Sequence, residues 1–273
     1  MNRWFWAHRN GVLYAWYALG FATVFIPKLL SLFHHRPIPF WWLMAPYIFW
    51  VTVGALAFIF ASRRRTLRAL NSLNQGCDPE PLLAWAEEEI AYWSKRPRGR
   101  QNVLAAYRMD QAAALNALGR TAQALEIQQS LEPQTMTALT RIFYYTNLAA
   151  FFIGLEQIPE AEEALSQAQL LSRLDPPRPK PGAQLRDCQL HSHLELSLLR
   201  GETQGVEEPL LALLERSEGE YSKLYRLHTL AQLCLLEGRL PEAREHLEYI
   251  LAHGNKLYVR TQAQELLNAH FPS

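Results

Sequence analysis

Asp187, His191 and Glu195 are the residues best placed to do chemistry in this chain. Their spacing of four puts all three on one face of a helix, with His193 on roughly the opposite side. An imidazole between two carboxylates can ligate a metal or relay a proton. The same spacing also suits side-chain pairs on a solvated face. A metal site would want a second histidine in phase, and none follows, so the spacing predicts solvated pairs. His34 and His35 adjoin each other with no third ligand nearby, and Glu87-Glu88-Glu89 reads as a solvated helix face. Cys77, Cys188 and Cys234 are odd in number, far apart and form no CxxC pair, which predicts reduced thiols. No GxSxG, HExxH, Walker-type or Gly-rich dinucleotide loop occurs. These residues therefore predict no catalytic site, no metal and no cofactor: the chain is expected not to be an enzyme.

The charges divide the chain. The 273 residues hold 27 Lys and Arg against 26 Asp and Glu, a formal net charge of +1. Met1 to Arg65 holds seven of the basic residues and no acidic one; the first acidic residue is Asp78. The remainder holds 20 basic and 26 acidic residues, a formal charge of −6. A mildly acidic domain offers no electrostatic basis for nucleic-acid binding. Six of the eight tryptophans precede residue 51.

That basic, aromatic N-terminus reads as two membrane spans, about 12–33 and 38–61, within a domain covering 1–65. The first has 22 residues, enough for about 33 Å of helix against a bilayer core of about 30 Å. The second has 24 residues without a charge and ends at Ser62-Arg63-Arg64-Arg65. Trp4 and Trp6 near one interface, and Trp41 and Trp42 near the other, match an aromatic belt. Pro27 and Pro46 are expected to bend their helices. Lys28 lies five residues from the end of its span and is expected to snorkel to the interface. Only His34 to Pro37 separates the spans, so they form an antiparallel hairpin. Arg3, Arg9, Arg63, Arg64, Arg65 and Arg68 outweigh Arg36 in the connection, which places both termini in the cytoplasm. A lipid bilayer is thus one expected partner.

After Ala69 the apolar periodicity is helical throughout, with no alternating run to suggest a strand. The chain is expected to be all-α: a transmembrane helical hairpin followed by an α-solenoid. Residues 66–101 read as connecting and N-capping helices, including Pro79 to Trp93. Residues 102–273 read as a repeat array, with Lys256 to Ala269 as a closing helix. Punctuation recurs at Gly119-Arg120-Thr121, Gln157-Ile158-Pro159 and Gly238-Arg239-Leu240. Pro159 and Pro241 suit a first helical turn, and Glu160 and Glu242 suit its partial positive charge. A proline-rich break at 175–183 is expected to be stiff and extended.

These segments resemble the tetratricopeptide repeat, whose signature couples a small residue in one helix to an alanine early in the next. Asn147-Leu148-Ala149 followed by Pro159-Glu160-Ala161, Leu165 and Ala168 fits well. So does Leu230-Ala231 followed by Gly238, Pro241-Glu242-Ala243, Leu247 and Ile250. Ala112, Gly119 and Ala124 fit more loosely, and Leu194, Gly201, Val206 and Leu210 are degenerate. The resemblance covers about residues 102–254 and implies a curved array whose first helices line a concave face. Those helices fall at about Asn102–Leu118, Met136–Gly154, Leu185–Arg200 and Tyr221–Glu237.

The side chains the resemblance turns into that groove are Met109, Ala113, Asn116, Phe143, Thr146, Ala150, Ile153, Tyr225, His228 and Gln232. Their apolar character suits an apolar or amphipathic peptide segment of a protein partner. Family members that clamp a partner's C-terminal carboxylate do so with Lys and Asn, which the matched positions here lack. The function expected is that of a membrane-anchored, non-enzymatic adaptor or scaffold that binds protein partners at the cytoplasmic membrane face. The alternative is an accessory subunit or assembly factor of a membrane enzyme or transporter complex, with the hairpin as the main interface.

Overall fold

The computed structural model describes residues 6, 8–33, 40–95 and 101–271. Trp4 and the 34–37 connection lie outside the described residues, as do the side chains of Trp41 and Trp42. The chain divides into two compact units, Met1–Arg68 and Ala69–Ser273. Every regular element among the described residues is helical.

The first unit contains helix α1, Arg9–Phe33, and most of helix α2, Phe40–Asn74. They run antiparallel. Trp6 meets Phe58, Trp16 stacks on Trp50 and Phe21 meets Tyr47 edge-on, so contacts move down one helix as they move up the other. Backbones approach closely at Gly20 and Gly54, where a methyl group would collide with the indoles of Trp50 and Trp16. Unlike an ordinary core helix, α2 turns large apolar side chains outward. Ile48, Phe49, Leu56, Ile59 and Phe60 are all exposed, as are Tyr14, Leu19, Phe21, Ile26 and Leu29 of α1. One stretch among the described residues, Met44–Asn74, is long and apolar enough to cross a membrane, where two were expected from the sequence. Helix α2 runs through Pro46 and continues past Arg65 without a break.

The second unit begins inside α2, whose Ala69 and Leu73 are buried in its core. Helix α3, Glu80–Ser94, packs on α4, Gln101–Ala117. Then come α5, Thr121–Gln129; a 3-10 turn at Pro133–Thr135; α6, Ala138–Gly154; and α7, Ile158–Leu174. Next are α8, Pro179–Leu199; α9, Glu207–Glu215; α10, Glu220–Leu236; α11, Leu240–His253; and α12, Tyr258–His270.

Small residues set the pairing. Ala112 and Ala124, Ala149 and Ala161, and Ala231 and Ala243 are each 0% exposed, because helices in these hairpins cross too closely for anything larger. The pairs α6–α7 and α10–α11 pack most extensively. In the third hairpin α9 has only nine residues, and Val206 precedes it where an alanine within the helix would be expected.

Four inter-helix turns share one geometry. A left-handed residue follows the first helix at Gly119, Glu156, Gly201 and Gly238, and the next amide reaches back five residues. These bonds run from Arg120 N to Leu115 O, Gln157 N to Phe152 O, Glu202 N to Ser197 O and Arg239 N to Cys234 O, at 2.8–2.9 Å. This is the helix-ending motif that satisfies otherwise orphaned carbonyls, and glycine adopts it without a Cβ clash.

The proline-rich break is shorter than expected. Only 175–178 lie outside helix, and Pro179 opens α8. Prolines cost nothing in a first turn, because N–H groups there have no intrahelical acceptor.

The array closes on itself. Helix α12 packs against α4 as well as α10 and α11, and the Tyr258 ring fills the space where Gly119 would carry a Cβ. Asn255 Nδ2 donates to Gly76 O at 2.8 Å, and Lys256 N donates to Cys77 O at 3.2 Å. Lys256 Nζ reaches Asp78 at 3.1 Å and Glu80 at 2.6 Å, while Gln75 Nε2 donates to Glu218 O at 3.2 Å. Leu73, Cys77, Leu82, Leu257, Val259 and Ala263 accordingly share one core cluster with Leu224, Leu230 and Leu247.

Candidate interaction surface

Packing of neighbouring helices decides where the expected groove residues lie. Met109 is 7% exposed and sits in the core with Leu131, Tyr144 and Leu148. Thr146 is buried; its hydroxyl donates to Ile142 O at 2.9 Å and accepts from Gln189 Nε2 at 3.5 Å. His228 is 6% exposed, and its Nε2 has no hydrogen-bond partner among the described residues. Phe143 and Ile153 are half-buried against the same cluster as Met109. Asn116 is half-buried and accepts from Thr121 Oγ1 at 2.9 Å, which ties the α4–α5 turn. Ala113, Ala150 and Gln232 are half-buried. Tyr225 is half-buried with its ring 4.8 Å from Tyr221, and both pack on the larger cluster. The structure thus gathers Met109, Phe143 and Ile153 in one core and Tyr225 against another. Met109, Thr146 and His228 point into packed interior.

Along α8 and α10 runs a polar seam. His191 Nε2 lies 3.0 Å from Thr229 Oγ1, and His191 Nδ1 lies 3.7 Å from Glu195. Asp187 pairs with Arg216 at 3.3 Å. The three residues on one helix face are therefore divided between two partners. No group of three His, Cys, Asp or Glu side chains among the described residues could hold a metal. Arg226 is buried and donates to Leu213 O and, at 2.8 Å, to Ser217 Oγ. It ties α10 to the end of α9, where Leu213 O also accepts from Ser217 Oγ at 3.5 Å. Burial, with His191 nearby, holds the His228 imidazole down at about 4.

Two features escaped the sequence reading. Burial pushes the Asp110 carboxyl on α4 up to about 6. Its neighbours Met109 and Ala112 gave the only signal, since a carboxylate one residue off an apolar face is partly desolvated. Glu89 is also 5% exposed and accepts from Trp93 Nε1 at 3.2 Å, rather than facing water with Glu87. Three consecutive helical residues span an arc of about 200°, too wide to stay solvated on a helix packed against α4.

Outside the inner faces, the turn before α9 and α9 itself border an open cavity of about 560 Å³. Thr203, Gln204, Leu211 and Ala212 line it with Glu207, Glu208, Glu215 and Glu237. Arg239 neutralises part of that charge through Glu207 and Glu237, each at 2.8 Å. Cys188 is exposed; Cys77 and Cys234 are buried, and all three are free thiols.

The architecture defines an all-α helical-hairpin repeat protein with an apolar two-helix unit ahead of the repeats. No family model matches the chain, and no curated protein matches it. Among solved structures it is similar to a protein from Podosopora anserina described as a kinesin light chain with nearly identical TPR-like repeats. The two are 22% identical, the match covers 73% of this chain and 95% of that one, and the TM-score is 0.43.

Proposed function

We propose that this chain is a membrane-anchored, non-enzymatic scaffold of the tetratricopeptide-like class. The observation that carries this reading is the apolar surface α1 and α2 turn outward, with Phe49 70%, Phe60 66% and Leu29 60% exposed. A contiguous apolar surface of that kind is costly in water and is normally covered by lipid or a partner. Both α1 and α2 then cross the bilayer, and the basic residues flanking them hold the termini and the repeat unit in the cytoplasm. The half-buried residues Asn116, Phe143, Ala150, Ile153, Tyr225 and Gln232 remain available for contact with an apolar or amphipathic segment of a partner. The test is alkaline extraction of membranes from cells making the full chain, followed by mild solubilisation and identification of copurifying proteins. The scaffold reading requires the chain to stay in the membrane fraction and the separate segment 69–273 to retain the same partners.

The second reading, an accessory subunit or assembly factor of a membrane complex working through the hairpin, is favoured by one observation. Met109, Thr146 and His228 are buried, so part of the expected groove is occupied by the chain itself. Partners that follow the segment 1–68 rather than 69–273 would select this reading.

A further inference from the structure

We propose that Arg63, Arg64 and Arg68 form a docking surface for the headgroups of anionic phospholipids. This inference rests on the membrane reading of α2. All three side chains are exposed, and none has an ion-pair or hydrogen-bond partner among the described residues. Arg65 is different: its guanidinium lies 4.8 Å from the Trp6 ring centroid, turned toward the hairpin.

Helix geometry places the three on one side. At about 100° per residue, Arg63, Leu67, Arg64 and Arg68 fall in that order across an arc of about 140°. The exposed side chains of Phe49, Leu56 and Phe60 fall on the same side, within an arc of about 40°. One face of α2 is therefore apolar along its length and cationic at its end, with exposed Leu67 among the arginines.

Depth along the helix agrees. At 1.5 Å per residue, Arg63 lies about 3 Å and Arg68 about 10 Å beyond Ala61, the last residue of the uncharged run. The headgroup layer on each side of a bilayer is about 5–8 Å thick. Arg63 and Arg64 fall within it, and the long Arg68 side chain reaches back into it. No acidic residue precedes Asp78, so nothing in this part of the chain competes for the three guanidinium groups. Guanidinium groups bind phosphodiester oxygens through paired N–H donors, and a helix face fixed at headgroup depth holds those donors in register.

The test uses the full chain in nanodiscs of phosphatidylcholine with a minor share of phosphatidylglycerol. Native mass spectrometry of the ejected protein reads the lipids it retains. The expected result is retention of phosphatidylglycerol at roughly five times its bulk proportion, the preference one surface arginine confers. The combined Arg63→Gln, Arg64→Gln and Arg68→Gln variant should enter the discs equally well and retain lipid in the bulk proportion. Wild-type retention at the bulk proportion overturns the proposal, as does enrichment that survives the triple substitution. Excess inorganic phosphate, against chloride of equal ionic strength, should leave the enrichment intact; specific loss would mean a free-anion site and overturn it. A chain that stays outside the discs overturns the membrane reading, and this inference with it.

Discussion

Trp16 and Trp50 hold each other across the hairpin by a reciprocal contact. Their rings stack at 4.3 Å between centroids; Trp16 Nε1 donates to Trp50 O at 3.2 Å, and Trp50 Nε1 donates to Trp16 O at 3.1 Å. Each indole also covers the glycine four residues beyond the other tryptophan, Gly54 and Gly20. The indole N–H groups, which need acceptors in an apolar setting, are satisfied by carbonyls across the helix pair.

That arrangement makes the two glycines equivalent. Gly20→Ala and Gly54→Ala should each destabilise the hairpin by about 1–3 kcal/mol, because the added methyl displaces an indole from a packed position. Unfolding of the full chain in mixed detergent micelles, followed by tryptophan fluorescence, measures the loss. Equal stability of either variant and the wild type would contradict the clasp.

Glu156 occupies a left-handed position, φ 57°, where the three equivalent turns have glycine. Glu156→Gly should therefore stabilise the repeat unit by about 1 kcal/mol, the cost of a Cβ in that conformation. Gly238→Ala should destabilise it by a similar amount, about 1 kcal/mol. Urea denaturation of 69–273 separates the two directions.

Two buried groups respond oppositely to acid. His228 titrates at about 4 in the folded chain, below its ordinary 6.5, so the unfolded chain binds more protons between those values. Its contribution is present above pH 6.5 and is lost, to the extent of about 3 kcal/mol, as pH falls toward 4. Asp110 titrates at about 6 against an ordinary 3.8, so the folded chain binds more protons and gains stability as pH falls through that window. Its part is smaller, because its side chain keeps some solvent contact. His228→Leu should flatten the acid loss, and Asp110→Asn should steepen it while raising stability at pH 7. Urea midpoints at pH 7, 5.5 and 4 decide the signs.

Met109 separates a packing role from a docking role. Met109→Ala should cost about 2–5 kcal/mol of stability, as expected for a cavity in a closed core. A groove residue awaiting a partner would show little loss in the free protein. Thermal unfolding without any partner distinguishes the two.

The seam between the array's ends should open before the whole. Over the buried Cys77 and Leu257, its polar bonds are side-chain ion pairs at the surface and a few amide contacts, and Cys77 and Asn255 hold left-handed φ values of 50° and 41°. Surface ion pairs of this kind weaken in salt. Hydrogen exchange of the Cys77 and Lys256 amides should accelerate with added salt and with Lys256→Glu, while the Leu230 amide stays protected. Uniform exchange across all three would show that the seam opens only with global unfolding.

What was legible in the sequence was periodic or local. The helical character of both units follows from apolar spacing, and the crossings at Ala149–Ala161 and Ala231–Ala243 from small residues at a fixed offset. The turns at Gly119 and Gly238 follow from a residue type that suits φ above zero, whereas Glu156 shows no such mark. The pairing of Asp187 with Arg216 had no local sign, since the partners lie on different helices. Tertiary structure alone decided that residues 75–80 meet residues 255–258. That contact buries Leu257 and Cys77 in one shared core. Helix periodicity specifies which face of each element is apolar. Curvature summed over several hairpins determines whether those faces meet another protein or each other, and each small rotation depends on packing that no local pattern records.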